Sequence, residues 1–270
     1  MKIVSTVWAI ILLASLTSCG GSSSNSKDTN SLVSSSSSSP YQYIGSIKSG
    51  LSITSAITGI TYPYHVYLPH NYALSNKNYP IIYGTDAQWI FPHFSQTIDA
   101  KNKDVIFIGI EEGPFRSDRR AIDFQPAGAP NYISFLKTEF IPLIENTYRT
   151  NHERTYVGTS YGGLLGSILL TKEPIGTPYF KNYMLFDGSF RVLQSINIQD
   201  EESRFAASKN LNVALILTSA NPGNQFDVNT YQNRYESRQY QGLTIHRRYY
   251  QVPHNDVADP SFDETIDLLY

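Results

Sequence analysis

A predicted strand runs directly into a predicted helix in the stretch RTYVGTSYGGLL, residues 154–165. The strand ends at Val157, the helix begins near Gly163, and the turn between them carries Ser160. Glycines stand two positions before and after this serine, where a missing Cβ lets a strand and a helix approach each other closely. The stretch therefore predicts a βα unit with a serine on its sharp turn.

Strands and helices alternate on both sides of this unit. Residues 45–68 form two β-branched segments, which predict an antiparallel beginning. Later apolar runs, such as 105–108 and 213–217, suit central parallel strands that are buried on both faces. The strands are predicted at 79–83, 104–110, 154–157, 182–186, 211–217 and 243–250, and helical spacing recurs at 132–148 and 164–169. The pattern predicts an α/β fold with a mixed, mostly parallel central sheet and helices on both faces.

The composition excludes several classes of protein and site. The 270 residues include 21 basic and 23 acidic side chains, and no Lys/Arg block stands out, which argues against a nucleic-acid binder. The single cysteine, Cys19, rules out internal disulfides, thiolate metal sites and Cys-x-x-Cys redox chemistry. None of the six histidines forms a His-x-x-x-His pair on a helical pattern, so we predict no metal and no cofactor.

The first eighteen residues have the layout of a secretory signal. Lys2 precedes an apolar run over residues 3–16, which is shorter than the ~20 residues of a membrane span. The junction around Cys19 and Gly20 resembles the lipobox of bacterial lipoproteins, in which the cysteine is lipidated, and glycine after it resembles the outer-membrane-directed version. We therefore expect a lipid anchor in the cell envelope, at the outer membrane and facing the periplasm or the surface. The alternative is a plain signal peptide that leaves an incidental thiol.

A serine-rich linker separates this signal from the rest of the chain. Eleven of the twenty-one residues 20–40 are serine and none is aromatic, so the segment from 19 to 40 is predicted to be a flexible spacer. Residues 41–270 are numerous enough for one α/β domain with a substantial core. No oligomeric state is predicted.

Ser160 is the predicted nucleophile, and the alternative is a structural serine in a tight turn. A nucleophilic serine needs a base, and in an α/β fold the expected chain order is serine, acid, histidine. His246 lies inside the strand 243–250, where a sheet side chain is expected. His254 follows that strand, in the loop before a helical segment at 259–270, and is the predicted base; the alternative is a solvated loop histidine.

The acidic partner of the histidine has several candidates. Asp227 lies between the strand 211–217 and the strand that carries His246, and it is the preferred choice. Asp187, directly after the strand 182–186, is its rival. A Ser-His dyad without an acid, or Asp256 in that role, are further alternatives.

Several segments together resemble a known family. They are YHVYLP at 64–69, YPIIY at 79–83 leading to Asp86, IGI at 108–110, RAID at 120–123, FIPLIE at 140–145, the Ser160 turn and His254. Over roughly residues 60–265 this combination resembles the putative-esterase family of α/β-hydrolases, which contains siderophore, feruloyl and acetylxylan esterases. The resemblance implies an α/β-hydrolase fold and a Ser-His-acid carboxylic-ester hydrolase that acts through an acyl-enzyme on a small-molecule ester. It also implies an oxyanion hole from the backbone N–H of Tyr161 and one from residues 86–88, which we assign to Ala87.

The chain departs from the family pattern at four places. It has Asp-Ala at 86–87 instead of Asp-Gly, His-Asn at 254–255 instead of His-Gly, and Asp-Gly-Ser at 187–189 instead of Ser-Pro-Ser. A carboxylate that the family often carries after the strand 211–217 aligns near Asn221 or Gly223. The choice of Asp227 as the acid therefore rests on its position in the chain alone.

Two groups of residues bear on the substrate. One is predicted to line an acyl pocket or to pack in the core, and the other is predicted to bind an anionic ligand such as a catecholate siderophore or to carry solvated charge. The first group is Trp89, Ile90, Phe91 and Phe94, and the second is Arg116, Arg119 and Arg120. The predicted substrates are siderophore, aryl or carbohydrate esters. The alternatives are a non-catalytic binding lipoprotein with the hydrolase fold, an acyltransferase that uses the same site, and a peptidase.

Overall fold

The structure is a computed structural model, and it describes residues 41–114 and 116–270. The predicted signal segment 1–18, Cys19 and the linker to residue 40 lie outside these residues. Tyr41–Tyr270 pack together as one unit. Within the two described ranges, no helix is long and apolar enough to cross a membrane.

Eight strands form one mixed sheet with the order β1-β2-β4-β3-β5-β6-β7-β8. They are Ser46–Thr54 (β1), Thr61–Leu68 (β2), Tyr79–Thr85 (β3), Ile106–Ile110 (β4), Thr150–Thr159 (β5), Asn182–Phe186 (β6), Ala214–Ala220 (β7) and Thr244–Tyr250 (β8). β2 runs antiparallel to both β1 and β4, and all other neighbours are parallel. This arrangement confirms the predicted mixed, mostly parallel sheet with an antiparallel beginning.

Helices cover both faces of the sheet. They are Ala87–Ala100 (α1), Arg120–Asp123 (α2), Ala129–Phe135 (α3), Ile141–Thr147 (α4), Tyr161–Thr171 (α5), Ser195–Ala207 (α6), Gln225–Arg238 (α7) and Ala258–Thr265 (α8), with a π-helical turn at Leu136–Phe140 joining α3 to α4. Apolar side chains of α1 and α8 form the smaller core on one face, where the rings of Phe94 and Phe262 stack 3.9 Å apart. Side chains of α3, α4, α5 and α7 form the larger core on the other face. Every residue of β4 is buried, as its apolar run predicted.

Helices α1, α2, α6 and α7 were not located from the sequence. Helix α1 contains Pro92 and carries the four apolar residues that were predicted to line an acyl pocket or to pack in the core. Phe91 and Phe94 are buried in the core, because this helix packs its apolar side against the sheet and α8. Of these four residues, the exposed Trp89 and the neighbouring Ile90 line the cavity described below.

The carboxyl ends of the parallel strands meet at one edge of the sheet. Thr159 at the end of β5 pairs with Phe186 at the end of β6, and Phe186 pairs with Thr218 in β7. The residues that follow β5 and β6, Ser160 and Asp187, are therefore neighbours in space. Functional groups of open α/β sheets gather at this edge, because the turns that leave the strands are free to carry side chains of any chemistry.

Candidate active site

Ser160 lies on a strained turn between β5 and α5. Its backbone angles, φ 58° and ψ −114°, fall outside the regions that a residue with a Cβ ordinarily adopts. Its N–H donates to the carbonyl of Phe186 at 3.0 Å, which ties the turn to β6. A Cβ at Gly158 would lie 2.5 Å from the carbonyl carbon of Gly162, so the glycine allows this close approach of strand and helix. Such strain holds a serine hydroxyl in a defined position above the sheet.

His254 contacts a carboxylate directly. Its Nδ1 lies 2.5 Å from Oδ2 of Asp187. The histidine is in a short turn after β8, and its backbone N–H donates to the carbonyl of Pro222 at 2.9 Å. The contact fixes the orientation of the imidazole through Nδ1 and leaves Nε2 as the nitrogen that can accept a proton.

The structure contradicts the choice of Asp227 as the acid. Asp227 lies in the first turn of α7, where Arg191 Nη1 is 3.8 Å from its Oδ2. It lines a separate cavity of about 130 Å³ with Phe190 and Tyr231. Asp227 lies within α7, which begins at Gln225, and no hydrogen bond or ion pair among the described residues joins it to His254. Asp256, the other alternative, is exposed beside His254, whereas Asp187 is completely buried.

The loop after β7 instead supplies hydrogen-bond donors to Asp187. The N–H of Ala220 and the N–H of Asn224 each lie 3.0 Å from Oδ1, and the Asn224 side chain donates to the Asp187 carbonyl at 2.8 Å. A Cβ at Gly223 would lie 2.5 Å from Oδ2. One signal could have found this acid: the chain has an Asp after β6 where the family has Ser, and no carboxylate near 221–223, where the family often has one.

The Ser160 hydroxyl has a second hydroxyl beside it. Ser160 Oγ and Ser189 Oγ are 3.2 Å apart, and the N–H of Ser189 donates to the Ser160 carbonyl at 3.0 Å. No hydrogen bond within residues 41–114 and 116–270 joins Ser160 Oγ to His254. Catalytic hydrogen bonds are often long before substrate binds and shorten in the complex. Sequence patterns alone did not single out Ser189.

Two helix N-termini flank the serine turn. Tyr161 begins α5 and Ala87 begins α1, and the first N–H groups of a helix have no partner inside it. The strands before these helices are neighbours, since Gly84 of β3 pairs with Val157 of β5. Tyr156 links the two ends, because its hydroxyl lies 3.3 Å from Thr85 Oγ1 and donates to the Gly162 carbonyl at 2.7 Å. The assignment of Tyr161 and Ala87 to an oxyanion hole stays a prediction that this placement favours.

A cavity of about 410 Å³ opens at the same edge. It is lined by Asp86, Trp89, Ile90, Arg120, Thr159, His254, Asn255 and Ala258. Its apolar lining comes from the start of α1 and the start of α8, and its polar lining comes from the ends of β3 and β5, the start of α2 and the turn after β8. In the described part of the chain, no group of three His, Cys, Asp or Glu side chains could hold a metal ion.

The predicted anion-binding arginines are largely engaged with carboxylates. Arg120 makes two hydrogen bonds to Asp86, at 2.9 and 3.0 Å, and its guanidinium lies 5.3 Å from the Trp89 ring. Burial raises the pKa of Asp86, and Arg120 only partly opposes that rise. Arg119 pairs with Asp123 in the same way. Arg116 lines a neighbouring cavity of about 270 Å³ that also contains two glutamates.

Comparison with known proteins gives a family match for the central segment. Residues 55–175 match the model of the family described as "Putative esterase". The predicted resemblance is therefore confirmed over these residues, and the match supports the predicted class of carboxylic-ester hydrolase. A curated relative, the uncharacterized protein YbbA of Bacillus subtilis (strain 168), is 28% identical over 127 residues, which are 40% of this chain and 50% of that protein. The chain thus spans about half the length of this relative.

Solved structures of hydrolases share the fold. An IroE-like serine hydrolase from Shewanella oneidensis has a TM-score of 0.71 and 23% identity, over 84% of this chain and 80% of that one. Siderophore hydrolase EstB from Aspergillus nidulans has a TM-score of 0.69 and 15% identity, over 82% of this chain and 93% of that one. At these identities the likeness shows the fold, and the predicted α/β-hydrolase fold is confirmed.

Proposed function

We propose that this chain is a serine carboxylic-ester hydrolase in which Ser160 is the nucleophile, His254 the base and Asp187 the acid. The observation that carries the proposal is the 2.5 Å contact between His254 Nδ1 and Asp187 Oδ2, at the sheet edge where Ser160 occupies its strained turn. The family of residues 55–175 supports the same chemistry.

The first half-reaction acylates the serine. His254 Nε2 takes the proton of the Ser160 hydroxyl while Oγ attacks the ester carbonyl, and Asp187 stays ionised and holds the imidazole in orientation. The backbone N–H groups of Tyr161 and Ala87 stabilise the oxyanion, and one such donor is typically worth ~10²- to 10³-fold in turnover. The alcohol leaves with the proton that His254 returns, and the acyl group stays on Ser160.

We further propose an uncharged aryl or acyl group as the part of the substrate that enters the cavity. Trp89 is 60% exposed at the mouth and offers a flat apolar surface, while Ile90 and Ala258 continue the apolar wall. The charge of Arg120 is matched by the buried carboxylate of Asp86. A siderophore ester is the second candidate, because a structural neighbour is a siderophore hydrolase.

The lipid anchor remains part of the proposal. The signal layout of residues 1–18 and the lone Cys19 support lipidation and a place in the cell envelope. Lipidation is tested by growing bacteria that express the full-length protein with an alkyne-bearing fatty acid and detecting the alkyne label on the protein. Label that persists after Cys19→Ala would contradict the anchor.

The activity test compares the full-length protein with Ser160→Ala. Hydrolysis of p-nitrophenyl acetate and butyrate, together with fluorophosphonate labelling, should be present in the first and lost in the second. Ser167→Ala is the matched control, because its buried hydroxyl donates to the Leu164 carbonyl, its one hydrogen bond among the described residues, and lies in the helix that follows Ser160. A folded protein that neither labels nor turns over would favour a non-catalytic binding lipoprotein. Transfer of the acyl group to added alcohol in preference to water would favour an acyltransferase.

A further inference from the structure

Among the described residues, the Ser189 hydroxyl has one hydrogen-bonding partner, the hydroxyl of the proposed nucleophile. Its hydroxyl lies 3.2 Å from Ser160 Oγ, and in the described part of the chain it makes no other hydrogen bond. The residue is only 3% exposed, at the point where the chain leaves β6. Its backbone N–H donates to the Ser160 carbonyl at 3.0 Å, so the two residues are held together independently of the side chain.

The burial of Ser189 favours its hydroxyl as the donor in this pair. A serine has one O–H to give, and buried polar hydrogens nearly always find an acceptor. Ser160 is half-buried and can give its hydrogen to water or to His254 Nε2. Ser189 is 3% exposed and has little contact with water, and among the described residues its hydroxyl has Ser160 Oγ as the acceptor within reach. The geometry allows either hydroxyl to donate, and burial favours Ser189 as the donor to Ser160.

We propose that the Ser189 hydroxyl assists the release of the acyl group from Ser160, a role that rests on the function proposed above. In this half-reaction water attacks the acyl carbonyl and gives a proton to His254. The bond between the carbonyl carbon and Oγ then breaks, its electron pair goes to Oγ, and His254 returns the proton to that oxygen as the carboxylic acid leaves. Negative charge grows on Oγ during this collapse, and a donor aimed at Oγ stabilises it.

The same hydrogen bond has a different effect on acylation. There a donor stabilises the partial negative charge that Oγ carries as His254 removes its proton, but it also engages the lone-pair density with which Oγ attacks the carbonyl carbon, so its net effect on acylation is small. Ser189 therefore acts chiefly on the second half-reaction. A residue that merely packs beside Ser160 would slow both steps, since it would misplace the oxygen that takes part in each.

A carbamoyl group on Ser160 separates the two steps. The full-length protein and its Ser189→Ala variant are treated with p-nitrophenyl dimethylcarbamate, and intact mass spectrometry follows first the gain and then, after removal of reagent, the loss of the carbamoyl group. We expect the loss to be about 3- to 10-fold slower in Ser189→Ala, the usual worth of one neutral hydrogen bond. The rate of gain should stay within about twofold. When deacylation limits the turnover of p-nitrophenyl acetate, kcat and KM of Ser189→Ala should fall by the same factor, so kcat/KM should stay unchanged.

Two further variants complete the test. Ser189→Cys keeps the size of the side chain and a weaker donor, and it should restore part of the lost rate. Ser167→Ala removes a buried hydroxyl that donates to the Leu164 carbonyl, and it should change neither step. Carbamoyl loss at the wild-type rate in Ser189→Ala, or an equal fall in both steps, would overturn the role of Ser189 alone. A wild-type protein that takes up no carbamoyl group would overturn the proposed function and this role with it.

Discussion

The carboxylate of Asp187 occupies the space that a side chain at residue 223 would need. A Cβ built on Gly223 would lie 2.5 Å from Asp187 Oδ2, the same oxygen that contacts His254. The acid comes from the end of β6, and the loop after β7 accommodates it with a glycine and two backbone donors. The missing side chain at residue 223 and the carboxylate at residue 187 are thus two parts of one arrangement.

Replacing the proposed acid should nearly abolish turnover. Asp187→Asn keeps the shape but removes the charge that holds the protonated Nδ1, and the analogous change in a serine protease lowers kcat by about 10⁴-fold. Hydrolysis of p-nitrophenyl acetate measures this. Asp227→Asn is the matched control and should keep kcat near the wild-type value. The reverse result would reinstate Asp227 as the acid.

A methyl group at residue 223 should disturb the same carboxylate. Gly223→Ala forces Asp187 Oδ2 or the backbone near Ala220 to move, and small misplacements of a catalytic group cost up to ~100-fold in rate. The thermal melting temperature, followed by circular dichroism, checks that the fold survives. An unchanged kcat in a folded Gly223→Ala protein would show that the Asp187–His254 contact does not set the rate.

Loss of Arg120 should destabilise the protein in a pH-dependent way. Arg120→Met leaves Asp86 buried without its partner, and breaking a buried ion pair typically costs about 3–5 kcal/mol. Because burial already raises the pKa of Asp86, its folded state binds more protons than its unfolded state, and the variant should lose stability as the pH rises from acid toward neutral. Urea unfolding between pH 4 and 7, above the pKa of ~3.9 of a free aspartate, measures how the free energy of unfolding changes with pH. Adding Asp86→Asn should remove most of that pH dependence.

The pairing of Glu145 with Arg154 should stabilise the fold at neutral pH, and this stabilisation should be lost at acid pH. Burial raises the pKa of Glu145, but the hydrogen bonds from Arg154 and His152 outweigh it, and the net pKa lies below the usual value. The stabilisation is complete above the unfolded pKa of ~4.3 and is lost as the pH falls toward the lower folded value. Glu145→Gln should cost about 1–3 kcal/mol at pH 7 and little at the acid end of the range. A cost that stays constant in urea unfolding across this range would contradict the assignment.

Trp89 should contribute to a preference for aromatic esters. Trp89→Ala removes the exposed ring at the cavity mouth, and contacts of this size discriminate by about 10- to 200-fold. The ratio of kcat/KM for p-nitrophenyl benzoate to that for the acetate should fall, while the acetate value changes little. A fall of equal size for both esters would point to a structural role for the ring.

Local patterns in the sequence were enough for much of the fold and part of the site. Apolar runs mark the strands because a parallel strand covered on both faces has no polar side, and the observed β3 to β8 lie where these runs predicted them. The serine turn is a local feature, since its glycines and its serine are close in the chain. The histidine could be chosen because it follows the last strand.

Only the tertiary structure decided which carboxylate faces the histidine. Asp187 and His254 are 67 residues apart, and their contact depends on the pairing of β6 with β7 and on the space left at residue 223. The pairing of Arg120 with Asp86 and the approach of Ser189 to Ser160 likewise join separate elements. The sequence by itself determined the positions of the strands from β3 to β8, the serine turn and the types of group available, because these depend on near neighbours. Which groups meet depends on packing between distant segments, and a change as small as one Cβ decides it.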